Sequence, residues 1–167
     1  SEHGPSSSDE LNKLEAGGNY GWPLVLGACN TSNQTICDSL NIIEPLISFS
    51  PTIAPAGICF FNETSVPEWN NTILMTSLKE QRLMVEKMNE SLTSVNYTSW
   101  VFQYQLGRLR DVFLSPTGRL FVCTSNNDAL GEPTMNDDKI IELVPSPHNS
   151  VKEAKSNASS TFHFRHN

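Results

Sequence analysis

The side chains best equipped for chemistry are three cations in an otherwise acidic chain: Arg108, Arg110 and Lys79. The arginines lie in Gly107-Arg108-Leu109-Arg110-Asp111. On a strand, residues two apart share a face, so the two guanidiniums would project together. Such a pair either meets neighbouring carboxylates or grips an anionic ligand through bidentate hydrogen bonds. Lys79 ends the apolar run Thr72–Leu78. From a strand end its ammonium reaches solvent or a ligand shared with the arginines. Thr52 lies in Ser50-Pro51-Thr52-Ile53-Ala54-Pro55. That Pro-rich approach to a strand presents a hydroxyl at a pocket, or is an ordinary loop.

A second group of residues suits a metal. The chain opens Ser1-Glu2-His3-Gly4-Pro5, followed by Asp9-Glu10-Leu11-Asn12 and Gly18-Asn19-Tyr20-Gly21-Trp22-Pro23. Gly-Pro beside acidic residues offers backbone carbonyls to a hard cation, and calcium takes carbonyl and carboxylate oxygens in flexible geometry. The same spacing also suits a Gly-rich loop with solvated acids. The four histidines and four cysteines show no zinc spacing. Cys29 and Cys37 flank a polar loop and suit a small disulfide in an oxidising compartment. Cys59 and Cys123 sit in apolar runs and read as buried thiols.

The elements that must position these residues read as short strands. Apolar alternation bounded by turn residues marks 57–62, 72–78, 81–88, 94–102, 109–114, 119–124 and 139–144. Ser115-Pro116-Thr117-Gly118 is a tight hairpin turn, with Pro presetting φ and Gly permitting φ > 0. No amphipathic helix is apparent. The strands at 57, 72 and 82 recur at 111, 119 and 139, an offset of about fifty residues that is typical of propeller blades. Blades bury their faces against neighbouring blades, so two or three alone leave open sides and suggest a piece of a larger protein. A small β-sandwich is the alternative. Residues 146–167 are rich in Ser, Asn and His, and read as a mobile tail rather than a histidine metal cluster.

A formal net charge of −7 over 167 residues argues against non-specific nucleic-acid binding. No apolar run approaches the roughly 20 residues of a membrane helix. Asn-x-Ser/Thr triplets begin at Asn30, Asn33, Asn62, Asn70, Asn89, Asn96 and Asn157. They mark glycan acceptors of an exported protein, or chance in a chain rich in Asn, Ser and Thr.

Taken in order, Glu2-His3-Gly4-Pro5 with Asp9-Glu10-Leu11-Asn12, Asn19-Tyr20-Gly21-Trp22-Pro23, Ser77-Leu78-Lys79 and Arg108-Leu109-Arg110-Asp111-Val112 resemble the C-terminal part of the soluble glucose/sorbosone dehydrogenase family. The resemblance covers residues 1–145. It implies an all-β fold: a partial six-bladed β-propeller, with two to three blades of four-stranded antiparallel sheet here. It implies pyrroloquinoline quinone (PQQ) and calcium (Ca2+) as cofactors. The carbonyls of Gly4 and Pro5 would bind the calcium that grips the quinone. His3, Thr52, Lys79, Arg108 and Arg110 would contact the quinone, whose carboxylates suit Lys and paired Arg electrostatically. Glu10 and the Tyr20 carbonyl would form part of a second, structural calcium site. The parent would oxidise the C1 hydroxyl of a sugar substrate, and the family allows a homodimer. The family's histidine base and its Arg-Asn pair have no counterpart in this sequence and are expected upstream. The chain would then supply only part of the cofactor wall. A secreted, non-catalytic propeller that binds sugars or proteins is the second reading.

Overall fold

The computed structural model describes residues 1–145 and the backbone of 162–165. Strands β1 (Asp9–Leu11) and β2 (Ile47–Phe49) form a two-stranded antiparallel sheet. Between them lies the short helix α1 (Gln34–Leu40), of which Cys37 alone is buried, so it presents no amphipathic face. The Cys29–Cys37 disulfide ties the middle of the helix to the loop before it, and forms as the spacing suggested.

Two four-stranded sheets follow. The first runs β3 (Pro55–Phe61), β4 (Thr72–Ser77), β5 (Arg82–Met88) and β6 (Val95–Val101), each antiparallel to the next. The second runs β7 (Leu109–Leu114), β8 (Leu120–Thr124), β9 (Ile140–Pro145) and β10 (Phe162–Arg165). These are the two units of the sequence repeat, and the fold is the expected propeller fragment with two blades. Of the segment read as a tail, 146–161 and 166–167 lie outside the described residues. Phe162–Arg165 pairs with β9, with Arg165 opposite Glu142.

Alternation explains the packing. In β8, Leu120, Val122 and Thr124 are buried while Phe121 and Cys123 are half-buried, as a strand with one face inward requires. The inward faces of the two sheets share one core of Phe61, Leu74, Leu83, Val85, Leu109, Val112, Val122 and Ile141. Each such aliphatic side chain contributes about 2 kcal/mol on leaving water. The opposite face of the first sheet packs Met75 and Met84 against Leu11 and Ile53, with Leu46, Ile47 and Phe49 alongside. Beyond these contacts the outer faces stay open: Ile58, Phe60 and Trp100 are exposed on the first sheet, Phe113 and Ile140 on the second.

The innermost strands approach closely, since a Cβ on Gly57 of β3 would collide with Asp111 of β7. Glycine there lets the blades meet. This meander brings the start of β3, the β4–β5 turn, the entry to β7 and the β8–β9 loop to one end of the sheets.

Candidate functional site

The end of the sheets just described collects the cations. Lys79 occupies the β4–β5 turn, and its Nζ donates to Thr52 Oγ1 at 3.0 Å. The turn is fastened to the loop before β3: the N–H groups of Leu78 and Lys79 donate to the carbonyls of Ala54 and Ile53. Ser77 Oγ adds a 2.6 Å bond to the Ile53 carbonyl. Thr52 and Lys79 therefore hold a fixed mutual position although 27 residues separate them.

Arg108 precedes β7 and is largely buried, and its Nη1 donates to the Leu78 carbonyl at 3.4 Å. Its Nε and Nη2 both donate to Asp128 Oδ2, at 3.0 and 2.9 Å. Arg110 reaches the same oxygen at 3.5 Å and Ser125 Oγ at 3.3 Å, with its side chain 48% exposed. The arginines converge, but not through plain strand alternation. Leu109 pairs with Thr124 and Asp111 with Cys123, so Arg110 is the extra residue of a bulge, a feature that re-aims side chains. Of the two partners open to paired arginines, a carboxylate is the one met here.

Asp128 was invisible in sequence. It lies in the long β8–β9 loop, where no spacing marks it. The Leu130 backbone N–H, reinforced by Arg108, holds its carboxyl below the usual carboxylate range. Asn126 is the second residue missed. Its Oδ1 accepts the Arg108 backbone N–H at 2.8 Å and its Nδ2 donates to the Leu106 carbonyl. Beside Arg108 opens a cleft of about 430 Å³ bordered by Gln81, Tyr104, Glu132, Asp137 and Lys139. Within it the Thr134 backbone N–H and hydroxyl hold the Asp137 carboxyl down to about 2.

The segment with Gly4 and Pro5 is tied to this end by one carboxylate. Asp9 is 1% exposed. Its Oδ1 accepts the Gly4 N–H at 2.7 Å, and its Oδ2 accepts the Ile53 and Ala54 N–H groups at 2.6 and 2.8 Å. Three N–H donors on one buried carboxylate form a rigid, charge-assisted junction. His3 Nε2 donates to the Pro55 carbonyl at 2.6 Å. Gly4 and Pro5 are thus fastened to the loop that carries Thr52. Asp9 read as an acidic neighbour of a cation; here it serves as the acceptor that fixes two loops.

Glu10 is buried on the same short strand. It accepts the Gly27 N–H at 2.7 Å and the Asn12 amide at 3.0 Å. Asn12 Oδ1 is left buried with no hydrogen-bond partner. A buried carboxylate beside an orphan amide oxygen is a donor set that suits a hard cation. Tyr20 is held through its phenol, which accepts the Glu15 N–H and donates to the Lys13 carbonyl. Cys59 and Cys123 are half-buried free thiols, and burial pushes Cys59 up to about 11.

Two four-stranded sheets that share a core, with cations gathered at one end, define a β-propeller fragment. Comparison then gives the family. The model of the glucose/sorbosone dehydrogenase family matches residues 1–131, and the chain belongs to that family. It is 30% identical over 131 residues to the aldose sugar dehydrogenase YliI of Escherichia coli K12, covering 75% of this chain and 35% of the relative. It is 26% identical over 209 residues to quinoprotein glucose dehydrogenase B of Acinetobacter calcoaceticus, covering 91% and 43%. The PQQ-bound aldose sugar dehydrogenase of Streptomyces coelicolor superposes with a TM-score of 0.66 at 29% identity, covering 83% and 37%. The chain therefore spans less than half the length of each of these relatives. No helix among the described residues is long and apolar enough to cross a membrane.

Proposed function

We propose that the chain forms the cation-lined part of the cofactor seat in a quinone-dependent sugar dehydrogenase. The observation that carries this reading is the gathering of Thr52, Lys79, Arg108 and Arg110 at one end, with Gly4 and Pro5 fastened beside them through Asp9. In this reading PQQ, bound with calcium, supplies a two-electron acceptor for oxidation at C1 of an aldose. Lys79 and Arg110 are the exposed cations and meet the anionic edge of the ligand. Arg108 stays clamped by Asp128 and the Leu78 carbonyl, so its orientation is set before binding. Thr52 keeps the Lys79 ammonium aimed, and His3 orders the loop at Pro55.

The carbonyls of Gly4 and Pro5 are the proposed calcium ligands. Glu10, Asn12 Oδ1 and the Tyr20 carbonyl are the proposed second, structural calcium set, supported by the orphan amide oxygen. Export is part of the proposal, supported by the Cys29–Cys37 disulfide and the Asn-x-Ser/Thr triplets. The names of the relatives favour an oxidoreductase over a non-catalytic binding module.

The test is titration of the chain with PQQ in the presence and absence of calcium, followed by tryptophan fluorescence. Calcium-dependent binding is expected, weakened at least tenfold by Lys79→Ala or Arg110→Ala. Equal affinity in both variants, or no binding with calcium, overturns the assignment of these residues.

A further inference from the structure

We propose that Asn62, Asn70, Asn89 and Asn96 form a glycan-bearing rim at the end of the first sheet remote from the cationic cluster. The inference rests on the proposed export and adds where the sugars stand. Strand register carries it. Phe61 pairs with Thr72, Thr72 with Lys87 and Lys87 with Tyr97. This row closes one end of the sheet. Asn62 follows Phe61, Asn70 lies two residues before Thr72, Asn89 lies two after Lys87, and Asn96 adjoins Tyr97. All four sequons between β3 and β6 thus fall on one edge. The opposite row pairs Pro55 with Ser77 and Ser77 with Arg82, next to Lys79. The six residues of β4 span the two rows, a rise of about 17 Å over five steps at 3.3 Å each.

The asparagines at the cluster end lack the acceptor triplet. Asn126, Asn127 and Asn136 are followed at the second position by Asp128, Ala129 and Asp138. The four sequons of the first sheet therefore all stand at the end away from these asparagines.

The acceptors are also presented. Asn62, Asn70 and Asn96 are exposed. Asn96 is the extra residue of a bulge, since Lys87 pairs with Tyr97 and Met88 with Val95. Asn89 is half-buried, with its Nδ2 donating to Thr93 Oγ1. One amide hydrogen serves that bond and the other is replaceable. The hydroxyl of Thr72 is committed to the Trp69 carbonyl and that of Thr98 to Glu86. Transfer at Asn70 and Asn96 accordingly precedes closure of the sheet, whereas Asn62-Glu63-Thr64 remains open in the finished fold.

The co-reactant is a lipid-linked glycosyl phosphate or diphosphate. The amide nitrogen forms a bond to the anomeric carbon, the carbon–oxygen bond to phosphate breaks, the lipid phosphate leaves and the amide loses one proton. No electrons change hands. A glycan at Asn96 also covers β6, the outer edge of its sheet, and blocks edge-to-edge pairing.

The experiment is glycopeptide mass spectrometry of the protein purified from its source, with fractionation of the cells. Sugar oxonium ions are expected on peptides containing Asn62 and Asn96, then Asn70 and Asn89. An exported protein with these four positions bare, or with glycans only at Asn30, Asn33 or Asn157, overturns the rim and leaves export standing. A cytoplasmic, unmodified protein overturns both.

Discussion

Each four-stranded sheet carries a row that begins with Phe and sets Glu third, with opposite electrical outcomes. In the first, Phe60 pairs with Ile73, Ile73 with Glu86 and Glu86 with Thr98. In the second, Phe113 pairs with Phe121, Phe121 with Glu142 and Glu142 with Arg165. Each repeat thus sets a glutamate third in a row that begins with Phe. Glu142 accepts two hydrogen bonds from Arg119, at 2.8 and 2.9 Å. Glu86 is fully buried and accepts from the Thr98 hydroxyl, while its Oε1 has no hydrogen-bond partner. Burial pushes its carboxyl up to about 7, opposed by Thr98 and by Arg82. A register position is inherited with the repeat, whereas the charge of the group placed there depends on what its neighbours offer.

The comparison assumes that both sheets stand on one shared core, and that is where the largest effect is expected. Leu109 is completely buried at the seam. Leu109→Ala should cost about 3 kcal/mol and lower the denaturant midpoint of both sheets together. Two separate transitions, followed by circular dichroism and by tryptophan fluorescence, would show that the sheets are independent and would break the comparison.

The second effect concerns Glu86. Between the ordinary value of 4.5 and about 7, the folded chain keeps a proton that the unfolded chain releases. Stability therefore falls as pH rises through that window. Glu86→Gln should be more stable than the parent by ~1–3 kcal/mol at pH 8, with no gain at pH 4. A gain that is the same at both pH values would mean the carboxyl is charged throughout.

The smallest effect sharpens the contrast. Glu142→Gln should lose stability at pH 7, because Arg119 gives up its carboxylate. The loss should shrink in 1 M salt, since the pair is partly exposed. A stabilising Glu142→Gln would erase the distinction between the two rows.

Strands β3 to β9 were legible because their alternation is long and their turns are marked, whereas β10 lies in the segment read as a tail. β7 reads as an apolar-polar run, and Ser115-Pro116-Thr117-Gly118 announces the hairpin that follows. Predicted and observed strands differ by at most two residues at any end. Strands β1 and β2 were not legible. Each has three residues, and they pair across a gap that local pattern does not bridge. The site was legible as residue types and not as connections. Lys79, Arg108, Arg110 and Thr52 stand out by charge, motif or proximity to proline. Asp128 and Asn126 are short polar residues in a polar loop, and only the folded chain distinguishes the carboxylate that orients an arginine from one that faces solvent.

Asp9 has one further consequence. Its three bonds join positions five, 44 and 45 residues away, so the junction exists only after a long loop has closed. No short stretch of the chain can preform that corner. A ligand bound there, as proposed above, would select the assembled molecule and raise the melting temperature with the logarithm of its concentration. Recognition at this corner and retention of the whole fold are one equilibrium observed from two directions.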